Sequence, residues 1–144
     1  MKRLPYSAAM LALGGIILMG LGIYFVFVRP PLLPEDLRFM GTSLAAIQVS
    51  VPGLLVWLRR VFWVLGGFIF TTGLMTVHLA LTSFRVRASG TTLVAALTGA
   101  TSIGWMVTVN FMIDSDFKWL LLAFGLPWAI ALALFRLEKE RKPK

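Results

Sequence analysis

The sequence contains no cysteine, and His78 is the only histidine among its 144 residues. Without cysteine the chain can form neither disulfides nor thiolate metal sites, and it carries no thiol nucleophile. A single imidazole also excludes any site that needs two, such as a bis-histidine haem held within one chain. These two shortages exclude disulfide-stabilised folds, thiol-dependent enzymes and the commonest zinc sites.

Charged residues are scarce as well. They make up 14% of the chain, whereas hydrophobic residues make up 58% and the mean hydropathy is +0.86. A soluble globular domain carries about 25% charged residues, so this chain has too few to cover a surface that faces water. The composition therefore predicts an all-α integral membrane protein, folded as a single transmembrane domain over residues 1–144.

Four apolar runs are long enough to cross a bilayer, whose hydrocarbon core of about 30 Å needs roughly 20 helical residues. The predicted spans cover residues 8–28, 61–84, 92–113 and 118–135. Pro30 and Pro31 end the first run, and a basic tail at residues 136–144 follows the last. No Asp, Glu, Lys or Arg lies in the middle of a span. The pattern predicts a four-helix transmembrane bundle without the charged coupling residue of an ion-driven transporter.

Basic residues predict the orientation of the bundle, because Lys and Arg concentrate on the cytoplasmic side of membrane proteins. With the N-terminus inside, nine of the 14 Lys and Arg residues lie inside and five lie outside. We therefore predict a multi-pass protein of the cell membrane with both termini, and the basic tail, in the cytoplasm. Because the formal charge of +8 flanks the spans in short segments, the lipid bilayer is the expected partner and nucleic acid is not.

Residues 30–60, between the first two spans, contain several helix boundaries. The Pro-Glu-Asp sequence at residues 34–36 is typical of a helix start, with proline in the first turn and acids at the positive end of the helix dipole. Gly41 can end this helix, and Thr42 or Ser43 can cap the next one. The segment is therefore predicted to form two or three short helices that lie across the outer end of the bundle as a helical cap.

This cap has two interpretations. It could simply cover the polar helix ends of the bundle, or it could dock a partner. A docking surface would use its charged and amphipathic side chains, which are Glu35, Asp36, Arg38 and Trp57. The partner would be another membrane protein or a second copy of this chain.

The run Pro-Glu-Asp-Leu-Arg-Phe-Met-Gly at residues 34–41 resembles a motif of small bacterial membrane proteins with four predicted spans. Further similar features are Gly66-Gly67, Gly73, and Asn110-Phe111 before Asp116-Phe117. The resemblance covers residues 34–127 and implies a four-helix fold in a bacterial inner membrane, with no particular activity. In that family a histidine often stands at the position of Asn110, so chemistry that belongs to the histidine does not carry over to this chain.

Small residues predict where the spans pack, because helices in lipid associate through close backbone contact. The small-residue stripes consist of Ala8, Gly15 and Gly22 in the first span, Gly66 and Gly73 in the second, and Ala96, Ala100 and Gly104 in the third. These stripes are predicted to pack within the bundle, and a seam between two copies of the chain is the alternative. Trp105 and Trp128 lie deep in their spans and are also predicted to pack there.

The second and third spans carry most of the polar residues within the membrane. At about 3.6 residues per turn, those of the third span fall on one face, and antiparallel packing would bring both sets to similar depths. The predicted polar interior consists of Thr71, Thr72, Thr76, His78, Thr98, Thr101, Ser102 and Asn110. The alternative is purely structural, because hydroxyl groups in a membrane helix can bond the carbonyls of their own helix.

The sequence contains no catalytic set and no metal-ligand spacing, so a non-enzymatic protein without a metal or a predicted cofactor is expected. The leading hypothesis is an accessory or structural subunit of a larger membrane complex. The second is a small carrier or channel lined by the Thr, Ser and His side chains of spans two and three. The third is a pigment- or haem-binding subunit that uses His78 as its single protein ligand.

Overall fold

The computed structural model describes residues 4–140, which form helices and their connections without any strand. Six helices lie within this range: α1 Tyr6–Phe27, α2 Pro34–Met40, α3 Leu44–Ser50, α4 Leu54–Phe84, α5 Thr91–Met112 and α6 Lys118–Glu140. The end of α4, Ala80–Phe84, and the middle of α5, Ala100–Gly104, are π-helical.

Four of these helices, α1, α4, α5 and α6, are long and apolar enough to cross a membrane by length and composition. The all-α prediction is therefore confirmed, and the four candidate spans are compatible with a membrane protein. One boundary differs from the sequence prediction, because α4 begins at Leu54 rather than near Val61. Pro52 and Gly53 break the chain, and no helix breaker follows them before the apolar run.

The other end of the chain also differs from the prediction. α6 continues to Glu140 instead of ending near residue 135, since Arg, Leu, Glu and Lys are all good helix formers. The remainder of the predicted basic tail, residues 141–144, lies outside the described residues, as do Lys2 and Arg3 at the N-terminus.

The predicted helical cap is present as two short helices. At the start of α2, the Asp36 carboxylate accepts a 2.8 Å hydrogen bond from the Leu33 amide. The helix ends at Gly41, whose φ of 64° lies in the left-handed region that glycine adopts without strain. α3 is capped by Ser43, whose hydroxyl oxygen accepts a 3.2 Å hydrogen bond from the Ala46 amide. We refer to the end of the bundle with α2 and α3 as the cap end, and to the opposite end as the terminal end.

α1 packs along both α4 and α6, and its contact with α4 is especially close. Glycines of these two antiparallel helices meet in pairs, Gly15 with Gly73 and Gly22 with Gly66. A Cβ atom added at Gly73 would lie 2.5 Å from the Gly15 carbonyl oxygen, and one added at Gly22 would lie 2.7 Å from the Gly66 carbonyl oxygen. The predicted stripes of the first two spans are therefore confirmed as a seam inside the chain, where any larger residue would collide with backbone. The stripe of the third span does not form such a seam, because Ala100 is exposed and a Cβ atom added at Gly104 would meet only Gly99 of its own helix.

Trp128 of α6 joins α1 to α5 halfway along the bundle. Its side chain is 3% exposed, and its ring lies so close to Gly14 and Gly99 that Cβ atoms added there would come within 2.9 Å and 2.5 Å of it. The indole N–H donates a 2.7 Å hydrogen bond to the Ala95 carbonyl oxygen, which satisfies the one polar group of a buried tryptophan. The predicted packing role of Trp128 is confirmed, whereas that of Trp105 is wrong because Trp105 is 66% exposed.

The terminal end is closed by Glu138 of α6. Its carboxylate accepts hydrogen bonds from the amide and the hydroxyl of Ser7 at 3.1 Å and 2.7 Å, and it pairs with Arg87 at 3.0 Å. Arg87 also donates a 2.8 Å hydrogen bond to the Phe135 carbonyl oxygen. Because the first N–H groups of a helix have no partner within it, Glu138 acts as a cap for α1 and ties three segments together.

Candidate functional site

A cavity of about 620 Å³ lies at the cap end, between α1, α5 and α6 and below α2. Small-molecule sites in proteins commonly occupy about 300–1,000 Å³, so the cavity is large enough for a ligand. Most of its wall is apolar and includes Ile17, Leu21, Met106, Val109, Leu120 and Phe124. Its charged groups are Arg29, Glu35 and Asp36, all from the segment that follows α1.

The cavity exists because the helices separate toward the cap end. Among the described residues, the cap half of α5 packs against α6 but not closely against α1 or α4. Gly20 of α1 faces the resulting gap, and a Cβ atom added there would have no neighbour within 4 Å. The π-helical turn Ala100–Gly104 lies between the packed and the separated halves of α5. Such turns change the course of a helix and occur frequently at functional sites.

Arg29 lies at the cap end of the cavity, just beyond α1. Its guanidinium group lies over the ring of Phe62, 3.7 Å from the centroid, and forms a 3.4 Å ion pair with Asp36. Burial lowers the pKa of Arg29, and the adjacent Asp36 carboxylate opposes this shift. An arginine stays charged in proteins, so the cavity wall holds a cation that a carboxylate and an aromatic ring already stabilise.

Glu35 is a buried acid on the cavity wall, with 2% of its surface exposed. Ser115, in the connection between α5 and α6, donates a 3.1 Å hydrogen bond to its carboxylate. The Ser115 hydroxyl oxygen in turn accepts a 3.1 Å hydrogen bond from the Phe117 amide. Burial of a carboxylate is costly without hydrogen bonds, and a carboxylate can accept several. Glu35 is therefore a buried hydrogen-bond acceptor on the cavity wall, and its carboxylate can accept more hydrogen bonds than the one from Ser115.

α2 is held over the cavity by exposed contacts to the α5–α6 connection. Arg38 donates hydrogen bonds to the Asp114 carbonyl oxygen at 3.0 Å and to the Asp116 carboxylate at 2.9 Å. The hydrogen bond to Asp116 raises the pKa of Arg38. Lys118 pairs with the Asp114 carboxylate, and this hydrogen bond lowers the pKa of Asp114. These contacts fix the position of Glu35 and Asp36, which belong to the same short helix.

Three of the four residues predicted to dock a partner have partners within the chain. Glu35, Asp36 and Arg38 make the hydrogen bonds and ion pairs just described. Trp57 is 61% exposed, in the first turns of α4. The accessory-subunit hypothesis stays a prediction, but the charges of the cap already stabilise the fold and border the cavity.

Most of the predicted polar interior does not line a common space. Thr71, His78 and Thr101 are exposed on the surface of the bundle, and Thr98 is half-buried. The physical reason is that α4 and α5 pack only weakly against each other, so their hydroxyl groups bond to their own helices. Carbonyl oxygens one turn earlier accept hydrogen bonds of 2.5–2.8 Å from Thr72, Thr76, Thr101 and Ser102.

Asn110 is the one member of that set on the wall of the cavity. Its side-chain amide donates a 2.9 Å hydrogen bond to the Met106 carbonyl oxygen, and its side-chain carbonyl oxygen can act as an acceptor. His78 lies on the exposed face of α4, outside the cavity. A pigment or haem bound through His78 therefore stays a prediction that is separate from this site.

The sequence pattern identified part of the cavity and missed the rest. It singled out Glu35, Asp36 and Asn110, although it assigned the first two to a different role. Arg29 was missed, but its position between an apolar span and a prolyl residue, seven residues before an acid, was an available signal. Nothing in the sequence singled out Gly20, because it lines the cavity only where α5 stays away from α1. No protein-family model matches the chain, and searches of the curated proteins and of the solved structures found no match.

Proposed function

We propose that the chain is a non-enzymatic integral membrane protein that binds a long-chain amphiphile in the cap-end cavity. The observation that carries the proposal is that the cavity has an apolar part and a charged part. Its space of about 620 Å³ has mostly apolar walls, and its charged residues are Arg29, Glu35 and Asp36. An amphiphile has the same division into an apolar chain and a polar end. A few well-placed polar groups orient a ligand in a mostly apolar site.

The membrane location is part of this proposal. Large apolar side chains are exposed on all four long helices, among them Ile16, Phe68, Leu97 and Leu126. A soluble monomer rarely exposes contiguous apolar patches larger than a few hundred Å², whereas lipid is a favourable solvent for them. The excess of basic residues on one side supports a cell-membrane protein with both termini in the cytoplasm and the cap end outside.

The polar end of the cavity supports a ligand with a hydroxyl or amine group. Because the bilayer is as apolar as the cavity wall, a hydrocarbon chain gains little on leaving it, and selectivity must come from the polar end. Arg29 is already paired with Asp36, so Glu35 gives this end a net negative charge. A hydroxyl or ammonium group can donate a charge-assisted hydrogen bond to Glu35, whereas a carboxylate would be repelled.

The test uses the full-length protein in nanodiscs with a long-chain alcohol that carries a diazirine in its chain. On illumination, the probe should label cavity residues such as Met106 and Phe124, which mass spectrometry of the digested protein can locate. Gly20→Leu places a side chain in the gap, and its Cβ atom would have no neighbour within 4 Å. This variant should lower the labelling of both residues severalfold.

Gly67→Leu is the matched control, because Gly67 also has no atom within 4 Å of an added Cβ but lies outside the cavity. Its labelling should equal that of the unchanged protein. Unlabelled alcohol should compete with the probe better than the fatty acid of the same length. Equal labelling in the Gly20→Leu and Gly67→Leu variants would mean that the probe does not occupy the cavity, and the proposal would be overturned.

A further inference from the structure

A second groove lies beside the cap, where the segment after α1 meets α3 and the first turns of α4. Its volume is about 370 Å³, and its wall includes Pro30, Leu44, Leu55, Arg59, Arg60 and Trp63. It shares no residue with the cap-end cavity. Unlike that cavity, it combines apolar side chains with two adjacent arginines.

These two arginines have no negative partner in the part of the chain that the structure describes. The carboxylates of the cap end that form ion pairs do so with Arg29, Arg38 and Lys118. Arg59 is exposed, and Arg60 lies over the ring of Trp63 at 4.3 Å from its centroid. Two uncompensated positive charges therefore border one groove.

Their position in the chain is also unexpected. The apolar run of α4 begins immediately after them, so with α4 in a membrane they would lie at the boundary between lipid and water. The predicted topology places this boundary outside, where arginine is less common than on the cytoplasmic side. The predicted orientation therefore does not account for the pair.

We propose that this groove binds a phosphate group, supplied by the headgroup of an anionic phospholipid. The planar guanidinium group of arginine matches phosphate oxygens with two parallel hydrogen bonds. Leu44, Leu55 and Trp63 provide an apolar surface for the glycerol region and the upper acyl chain, and tryptophan favours this depth of a bilayer. The inference rests on the proposed membrane location but is independent of the ligand in the cap-end cavity.

The experiment uses the full-length protein in phosphatidylcholine nanodiscs with and without phosphatidylglycerol. Native mass spectrometry after release from the discs counts the phosphatidylglycerol molecules that stay bound. The Arg59→Gln, Arg60→Gln double variant should lose about 30-fold in retained phosphatidylglycerol, which is the preference that two basic residues supply at an anionic surface. Arg136→Gln removes one exposed arginine outside the groove, so it should lower retention by no more than the roughly fivefold that a single basic residue supplies at an anionic surface.

Two further arms identify the source of the phosphate. Replacement of both arginines by lysine keeps the charge but removes the paired hydrogen bonds, so retention should fall between the unchanged protein and the glutamine variant. Displacement of the bound lipid by inorganic phosphate would show that the groove recognises the phosphate group itself. A soluble phosphate ester that displaces the lipid at a lower concentration than inorganic phosphate does would make a soluble ester the source, and the site itself would stand. Equal lipid retention in the glutamine double variant and in Arg136→Gln would overturn the site.

The outcome is separable from that of the cavity proposal. Gly20→Leu should leave phosphatidylglycerol retention unchanged, because Gly20 is not part of this groove. A chain that stays monomeric in water without detergent would refute the membrane location, and with it the lipid as the source of the phosphate. Binding of inorganic phosphate could then still be measured directly against the glutamine double variant.

Discussion

Two faces of α1 use glycine with opposite results. On one face, Gly15 and Gly22 meet the glycines of α4 so closely that an added Cβ atom would lie within 2.8 Å of a backbone oxygen. On the other face, Gly20 lines the cap-end cavity, and an added Cβ atom would have no neighbour within 4 Å. The glycine itself is the same in both places. The neighbouring helix differs. α4 approaches closely because it also has glycine at the points of contact, whereas no helix approaches Gly20.

This difference explains where the helices of the bundle pack tightly and where the cap-end cavity lies. Between α1 and α4, two glycine pairs seven residues apart bring the two backbones into close contact. Between α1 and α5 the space is filled by Trp128, which contacts Gly14 and Gly99. The cavity begins at Ile17, about one turn farther along α1. The cap-end cavity is the space between these helices beyond the tryptophan.

Removal of Trp128 should lower the free energy of unfolding most, because it would extend the cap-end cavity into the packed half of the bundle. Trp128→Ala deletes a buried ring and leaves the Ala95 carbonyl without its indole donor, so we expect a loss of about 4 kcal/mol in the free energy of unfolding. Denaturant unfolding in detergent micelles would measure it. Trp105→Ala is the matched control, since Trp105 is 66% exposed, and it should change the stability little. Similar losses in both variants would show that Trp128 does not hold α1 and α5 together.

Overpacking of the seam between α1 and α4 should also lower the free energy of unfolding, but by less. In Gly73→Ala the new Cβ atom would lie 2.5 Å from the Gly15 carbonyl oxygen. Neither backbone can yield without moving a helix, so we expect a loss of about 2 kcal/mol, within the usual range for overpacking. Thermal unfolding followed by circular dichroism would detect the change.

Gly67→Ala provides the comparison for that variant within the same helix. An added Cβ atom at Gly67 has no neighbour within 4 Å, and alanine is the better helix former by up to about 1 kcal/mol. This control should therefore match or exceed the stability of the unchanged protein. If Gly73→Ala were as stable as Gly67→Ala, the two helices would be less closely packed than the glycine pairs indicate.

The seam could be predicted from the sequence, and the cavity could not. Glycines seven residues apart in two apolar runs indicate stripes that match, because both helices repeat their faces nearly every two turns. The cap was predictable for a similar local reason, since residues 34–36, Gly41 and Ser43 carry their helix boundaries in their own chemistry. The structure does not bring most of the predicted polar interior together, because that arrangement requires α4 and α5 to pack side by side, which no local pattern determines. A hydroxyl group that bonds its own helix is compatible with either arrangement.

The smallest effect is expected at the cap, where Arg38→Gln should loosen α2 and leave the seam intact. Arg38 links α2 to Asp114 and Asp116 through exposed contacts, and exposed pairs contribute little to overall stability. The melting temperature should therefore stay near that of the unchanged protein, while hydrogen exchange of the α2 amides becomes faster because α2 loses its link to the α5–α6 connection. Arg136→Gln, an exposed arginine outside the cap, should change neither quantity. A fall in melting temperature as large as that of Gly73→Ala would mean that cap and seam unfold together. An unchanged melting temperature with faster exchange would show that α2 can move while the seam between α1 and α4 stays folded. Entry of a ligand beneath α2 requires such a movement.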